Sequence, residues 1–154
     1  MKLMLAYGMN TNLRSMANRC PNAVSIGRYD LHDHRIVFRG CADVEPSKGD
    51  IAQCVLWNIT DECEESLDIL EGYPHFYTKK YVTIEYNDKL HDAMIYHMND
   101  YYDSYYSPNK YYQQMLEEGY SEHGLDLEQI YTARGFTYSD DSWIEEYKNA
   151  QHQE

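Results

Sequence analysis

Two stretches decide how this chain is read: Leu5-Ala6-Tyr7-Gly8-Met9-Asn10-Thr11-Asn12 near its start, and Leu67-Asp68-Ile69-Leu70-Glu71-Gly72-Tyr73-Pro74 further on. The first reads as an apolar strand that runs into a glycine loop and then a helix. Such a turn leaves backbone N–H groups free to face an anion or a polarised carbonyl. The second places one carboxylate, Glu71, at the end of an amphipathic helix just before a Gly-Tyr-Pro turn. A cradle of N–H groups with one carboxylate is sufficient equipment for proton transfer on an amide.

Working outward, Lys2 to Tyr7 reads as a buried strand, and Asn12 can cap a short helix that ends at Cys20-Pro21. Ala23 to Tyr29 and Arg35 to Phe38 read as two strands around an Asp30–His34 turn. Pro46 to Asp50 reads as a turn before a strand over Ile51 to Ile59. Asp61-x-x-Glu64 has the form of a capping box, opening a helix with Cys63, Leu67 and Leu70 at i, i+4 and i+7. Two alternating strands follow, Phe76 to Tyr86 and Ala93 to Met98, joined at Asn87-Asp88-Lys89.

The Tyr-rich segment Asn99 to Ser107 reads as a rim loop. Ser107, with Pro108 after it, is expected to cap a helix running to about Gly119. A second helix is expected from about Leu125. Trp143, Ile144 and Tyr147 recur at helical spacing in a tail over 140–150. Strands first and helices last make an α+β pattern in a single domain over 1–154.

The bulk numbers narrow the function classes. The chain has 154 residues and a formal charge of −13, from 26 acidic and 13 basic residues. That field repels phosphate, so neither nucleic acid nor an anionic membrane surface is an expected partner. Arg14, Arg19, Arg28, Arg35 and Arg39 crowd the first forty residues, where a solvated positive face is the simplest account. The opening apolar run is too short for a signal h-region or a membrane span. Cys20, Cys41, Cys54 and Cys63 have no C-x-x-C spacing and read as reduced thiols of a cytoplasmic protein. His32-Asp33-His34 falls in an expected turn, so no metal site is assigned. Seventeen tyrosines against three phenylalanines suit a polar pocket, although half-buried strand positions explain most of them as well.

The order Tyr-Gly-x-Asn, Arg19-Cys20-Pro21-x-Ala23 and Leu-Asp-x-x-Glu-Gly-Tyr-Pro resembles the γ-glutamylcyclotransferase-like proteins, including the AIG2-like group. Further matches are Phe38-Arg39-Gly40-Cys41-Ala42-Asp43-Val44-x-Pro46-x-x-Gly49, Val55-Leu56-Trp57-x-Ile59-Thr60 and Ser107-Pro108-Asn109-Lys110-Tyr111. A last match, Glu118-Gly119-x-x-Glu122-His123-Gly124-Leu125, completes a collinear series over residues 3–130.

The resemblance implies a small mixed β-barrel with flanking helices. It implies an enzyme, a transferase or lyase, acting on a small γ-glutamyl substrate with no cofactor. In that reaction the α-amine attacks its own γ-carbonyl, releasing 5-oxoproline and an amine or amino acid. Glu71 is then the expected catalytic acid–base, although a solvated helix-end carboxylate is the plain reading without the resemblance. Tyr7, Gly8, Met9, Asn10, Thr11 and Asn12 are the expected binding loop, with Tyr77 and Tyr111 as pocket tyrosines. Met9 stands where the family usually has Ser, which bears on substrate identity. A different-class alternative is a non-catalytic barrel that holds a small ligand.

Overall fold

The structure is a computed structural model that describes residues 1–137. The expected tail helix over 140–150 lies outside the described residues. Within them ten elements follow one another, and their order positions the site. Strand β1 (Lys2–Ala6) leads through a 3₁₀ turn (Met9–Thr11) into helix α1 (Leu13–Arg19). Strands β2 (Val24–Arg39) and β3 (Cys41–Ile59) come next, then helix α2 (Asp61–Leu70). Strands β4 (Tyr77–Tyr86) and β5 (Lys89–Met98) precede helices α3 (Lys110–His123) and α4 (Glu128–Arg134). The expected α+β class is therefore the one observed.

The five strands form one sheet in the order β2-β3-β1-β5-β4. The central strand β1 runs antiparallel to β3 and parallel to β5. Its residues Met4 and Leu5 are almost wholly buried, as a central strand covered on both faces requires. The sheet curls until side chains of its two edges meet: Lys80 Nζ on β4 lies 3.2 Å from His34 Nε2 on β2. No backbone ladder closes that seam among the described residues, so the expected barrel is a curled open sheet.

Several local expectations are corrected. Asp30–His34 is no turn, because β2 runs unbroken and pairs with β3 from Val24↔Asn58 to Arg39↔Cys41, reversing at Gly40. The residues that suggested two turns instead build a bulge. The register slips between His32 and His34, Asp33 takes a φ of 60°, and its carboxylate accepts from Gly49 N–H at 2.9 Å. Turn formers serve an irregular strand equally well, and proline is tolerated at such an interruption.

Helix α2 is capped by Thr60, whose Oγ1 accepts from Cys63 N–H at 3.1 Å, and not by a box at Asp61. Glu64 instead holds two lysines, Lys2 and Lys79. Asn109 caps α3 in place of Ser107, and α3 continues past Gly119 to His123, where left-handed Gly124 ends it. Asn12 caps α1 as expected, accepting from Ser15 N–H at 3.1 Å. The Asn87-Asp88 pair, with φ of 53° and 61°, makes the expected tight β4–β5 turn.

The four cysteines are not all reduced thiols. Packing of the end of α1 against the start of α2 brings Cys20 and Cys63 to a Cα separation of 4.9 Å, and they form a disulfide. Spacing along the chain cannot reveal such a pair. The expectation of a cytoplasmic protein, which rests on reduced thiols, loses that support. Among the described residues no helix is long and apolar enough to cross a membrane.

Candidate active site

The fold brings the two quoted stretches to the same place. Strand β1 ends at Ala6, and the chain then turns across the end of the sheet through Tyr7 and Gly8. Helix α2 ends at Glu71, its C-cap. There Tyr73 N–H donates to Asp68 O and Gly72 N–H to Ile69 O, a Schellman ending with Gly72 in the left-handed region. Tyr77 N–H then donates back to Glu71 O at 3.2 Å, so the carboxylate's backbone is fixed on both sides.

Between these elements lies a cavity of about 200 Å³, walled by Tyr7 to Asn10, Arg19, Glu71, Phe76, Tyr77, Tyr96 and Tyr112. The half-buried Glu71 accepts one hydrogen bond through Oε1, from Asn10 Nδ2 at 3.1 Å. Asn10 Oδ1 in turn accepts from Arg19 Nη1 at 2.7 Å. A relay therefore runs from cation through amide to carboxylate.

Burial raises the Glu71 pKa above its ordinary 4.5, against the opposing pull of Asn10 and Arg19. That is the direction a working base requires. Burial also lowers the Arg19 pKa, though an arginine stays charged. Four of the five crowded arginines, Arg14, Arg28, Arg35 and Arg39, pair with carboxylates. Arg19 makes no ion pair among the described residues, and it lines the cavity. The positive face is thus largely neutralised, and the one arginine of these five left spare sits at the site.

The expected binding loop divides in two. Gly8, Met9 and Asn10 line the cavity, and their N–H groups find no acceptor among the described residues. A Cβ on Gly8 would sit 3.0 Å from Ala42 Cβ and 3.2 Å from Tyr112 Oη, so this approach of loop to wall needs glycine. Thr11 and Asn12 are buried and turn away from the cavity. Thr11 Oγ1 donates to Gly8 O at 2.7 Å, and Asn12 Nδ2 to Met115 O at 3.0 Å. They hold the loop against α3.

The tyrosines divide as well. Tyr7 donates to Tyr96 O at 2.6 Å, and Tyr77 donates to Ala42 O. Burial pushes both phenol pKa values up, so both remain donors. Tyr111 is 66% exposed and does not reach the cavity. Its neighbour Tyr112 does, and its hydroxyl accepts from Ala42 N–H at 3.0 Å. The missed signal is the period of α3: Tyr112, Leu116 and Gly119 share the face that packs on the loop.

Cys41 also lines the cavity, but burial, with Glu71 adding to it, raises its pKa and keeps it a poor nucleophile. Among the described residues no group of three His, Cys, Asp or Glu side chains could hold a metal ion.

At the end of the central strand the curled sheet thus carries a small cavity that holds one desolvated carboxylate together with residues whose N–H groups have no acceptor among the described residues. The chain belongs to the gamma-glutamyl cyclotransferase, AIG2-like family, whose model matches residues 4–122. Among solved structures it is similar to one described as a gamma-glutamyl cyclotransferase, at 24% identity and a TM-score of 0.73, covering 90% of this chain and 89% of that one. It is similar at 24% identity and a TM-score of 0.71 to an uncharacterized protein from Homo sapiens, with the same coverage. A third is YkqA from Bacillus subtilis, at 19% identity and a TM-score of 0.72, covering 90% of this chain and 56% of that one. At these identities the likeness establishes the fold. No curated protein matches the chain.

Proposed function

We propose that the chain is a cyclotransferase that closes a γ-glutamyl group into 5-oxoproline and releases the amine or amino acid to which it was joined. The observation that carries this reading is Glu71, half-buried with a raised pKa, in a small cavity lined also by Gly8 to Asn10, whose N–H groups have no acceptor among the described residues. Family membership supports the reaction type.

In the bound substrate, the Arg19 guanidinium holds the α-carboxylate. The glutamyl chain then folds so that its α-nitrogen meets its own γ-carbonyl. Glu71 takes a proton from the α-ammonium, and the freed amine attacks the γ-carbon. The carbonyl oxygen becomes an oxyanion held by the N–H groups at Gly8 to Asn10. Glu71 then returns its proton to the leaving nitrogen as the amide bond breaks, takes the second proton from the ring nitrogen, and passes it to the departing amine, which leaves as an ammonium. Charge and atoms balance with no other reactant. The ring closure supplies much of the rate, since positioned intramolecular attack reaches effective molarities of about 10⁵–10⁸ M. Tyr77 and Tyr112 shape the wall through their bonds to Ala42. Met9 contributes its N–H, so loss of the family's serine hydroxyl leaves the oxyanion contacts in place.

The test is 5-oxoproline release, followed by mass spectrometry, from glutathione, γ-glutamyl-alanine, γ-glutamyl-lysine and simple γ-glutamylamines. Release from at least one is expected. A folded protein that releases none would move the reading to a barrel-derived binding module.

A further inference from the structure

Beyond the Glu71 cavity, the tyrosine-rich loop between β5 and α3 walls a separate depression of about 170 Å³. Its lining is Arg39, Tyr101, Tyr102, Asp103, Ser104 and Tyr106, and none of these six lines the Glu71 cavity. With a volume below the ~300 Å³ from which pockets for drug-sized ligands begin, it has the scale of one small headgroup.

The walls are held in place by the backbone. Tyr101 N–H donates to Asn99 Oδ1 at 3.2 Å, and Tyr102 N–H to Asn99 O at 2.9 Å. Further along, Arg39 Nη1 donates to Asp103 O at 3.1 Å, and Tyr106 N–H to Phe38 O at 3.0 Å. Phe76 backs the Tyr102 ring, with centroids 5.1 Å apart. Tyr101 and Tyr102 stand at 85° with centroids 5.5 Å apart, so two ring planes meet near a right angle. Little of the loop is left to order when a ligand binds.

The chemistry of this lining selects a cation. A tyrosine ring is negative over its face and attracts an ammonium within about 6 Å of its centroid. Three exposed tyrosines, Tyr101, Tyr102 and Tyr106, border the depression. Asp103 lines it, and Asp100 adjoins Tyr101 in the sequence. Both carboxylates are exposed, and neither makes an ion pair among the described residues.

Arg39 also lines the depression, but its charge is balanced. It pairs with Asp43 at 2.9 Å and Glu45 at 2.6 Å, and its guanidinium lies 4.8 Å from the centre of the Tyr105 ring. The loop thus already holds one cation against an aromatic face. The overall charge of −13 draws further cations to the surface. Ring faces offer no acceptors of their own for a row of N–H donors, and a quaternary ammonium has none to satisfy.

We propose that this depression binds a small quaternary ammonium compound of the choline type. Its methyl groups pack against Tyr101, Tyr102 and Tyr106, with the charge beside Asp103. The site is independent of the cyclotransferase reading, and neither stands or falls with the other.

The experiment titrates the isotope-labelled full chain with choline chloride at constant ionic strength and follows its backbone amide signals by NMR. Two companion ligands are neohexanol, which keeps the shape of choline without its charge, and phosphocholine, which adds an anion. Choline is expected to shift the amides of residues 101–106 with a Kd of about 1 mM, as a few exposed cation–π contacts allow. The amides of Gly8 to Asn10 should stay in place. Neohexanol should bind about tenfold more weakly. Tyr101→Ala should raise the choline Kd about threefold and Asp103→Asn about twofold, both at exposed positions where folding is retained. Equal binding of choline and neohexanol would make the depression an apolar one and overturn the proposal. So would a Kd unchanged in Tyr101→Ala, or choline shifts confined to residues outside the loop. Phosphocholine should bind less tightly than choline, because its phosphate meets Asp100 and Asp103. Tighter binding of phosphocholine would overturn the assignment to a free cation and point to a lipid headgroup.

Discussion

Two corners of this molecule each hold a secluded carboxylate, and they are treated in opposite ways. At the turn between β2 and β3, Asp43 is buried and saturated. It accepts from Val44 N–H and Met98 N–H, both at 2.8 Å, and pairs with Arg39 at 2.9 Å. At the end of α2, Glu71 has one neutral donor, Asn10, and open space before it. A carboxylate surrounded by fixed donors is committed to the fold, whereas one left short of donors is available for chemistry. The same division recurs within the binding loop, where Gly8 to Asn10 keep their N–H groups free and Thr11 and Asn12 give their polar atoms to the scaffold.

The sharpest break in this comparison comes from neutralising each carboxylate. Asp43→Asn should cost about 1.5–3 kcal/mol of stability, because Arg39 loses one of its two carboxylates and keeps only Glu45. Glu71→Gln should cost none and should raise stability at neutral pH. The sign follows from its pKa. Burial raises the pKa in the folded state, so the stabilising contribution of Glu71 is present at low pH and is lost as pH rises through the folded value. The amide of the Glu71→Gln variant cannot ionise, and its advantage over wild type should grow with pH across that window. Thermal melts of both variants at several pH values check this.

Next in size is the support beneath the loop. A Cβ on Gly119 of α3 would lie 2.7 Å from Asn12 N and closer still to Thr11 Oγ1. Gly119→Ala should therefore cost about 1–3 kcal/mol and displace the loop. Chemical denaturation gives the first effect, and a raised KM gives the second.

A smaller effect sharpens the account of the relay. With Glu71 as base, the acid limb of kcat/KM should lie above the ordinary carboxylate value. Asn10→Ala removes a bond that lowers this pKa, so the limb should move to higher pH. A limb that stays put would detach Asn10 from the base. The smallest contrast is between neighbouring tyrosines. Tyr112→Phe should cost about 1 kcal/mol by orphaning Ala42 N–H. Tyr111→Phe should change stability by less than about 0.5 kcal/mol and leave KM unmoved.

Much of the site was legible in the sequence because it depends on local signals. Asn12 as a cap, Gly8 before a helix and Glu71 before a Gly-Tyr-Pro turn all announce themselves within a few residues. What stayed hidden depends on phase or on contacts between distant elements. Moving the cap of α3 from Ser107 to Asn109 changes which tyrosine faces inward, and no local pattern sets that choice. Asp33 and the Pro46–Asp50 run carry turn chemistry, yet they bend one long hairpin instead of ending strands. The Cys20–Cys63 pairing and the place of Arg19 in the cavity follow from how α1 packs on α2. Edge closure likewise depends on tertiary curvature, and the barrel that the resemblance implied is a sheet that stays open.

The most direct measurement is 5-oxoproline release by wild type and Glu71→Gln side by side, with both shown to be folded. The account predicts a loss of about 10²–10⁴-fold in the variant, the usual cost of removing a general base. Release at the wild-type rate would contradict it.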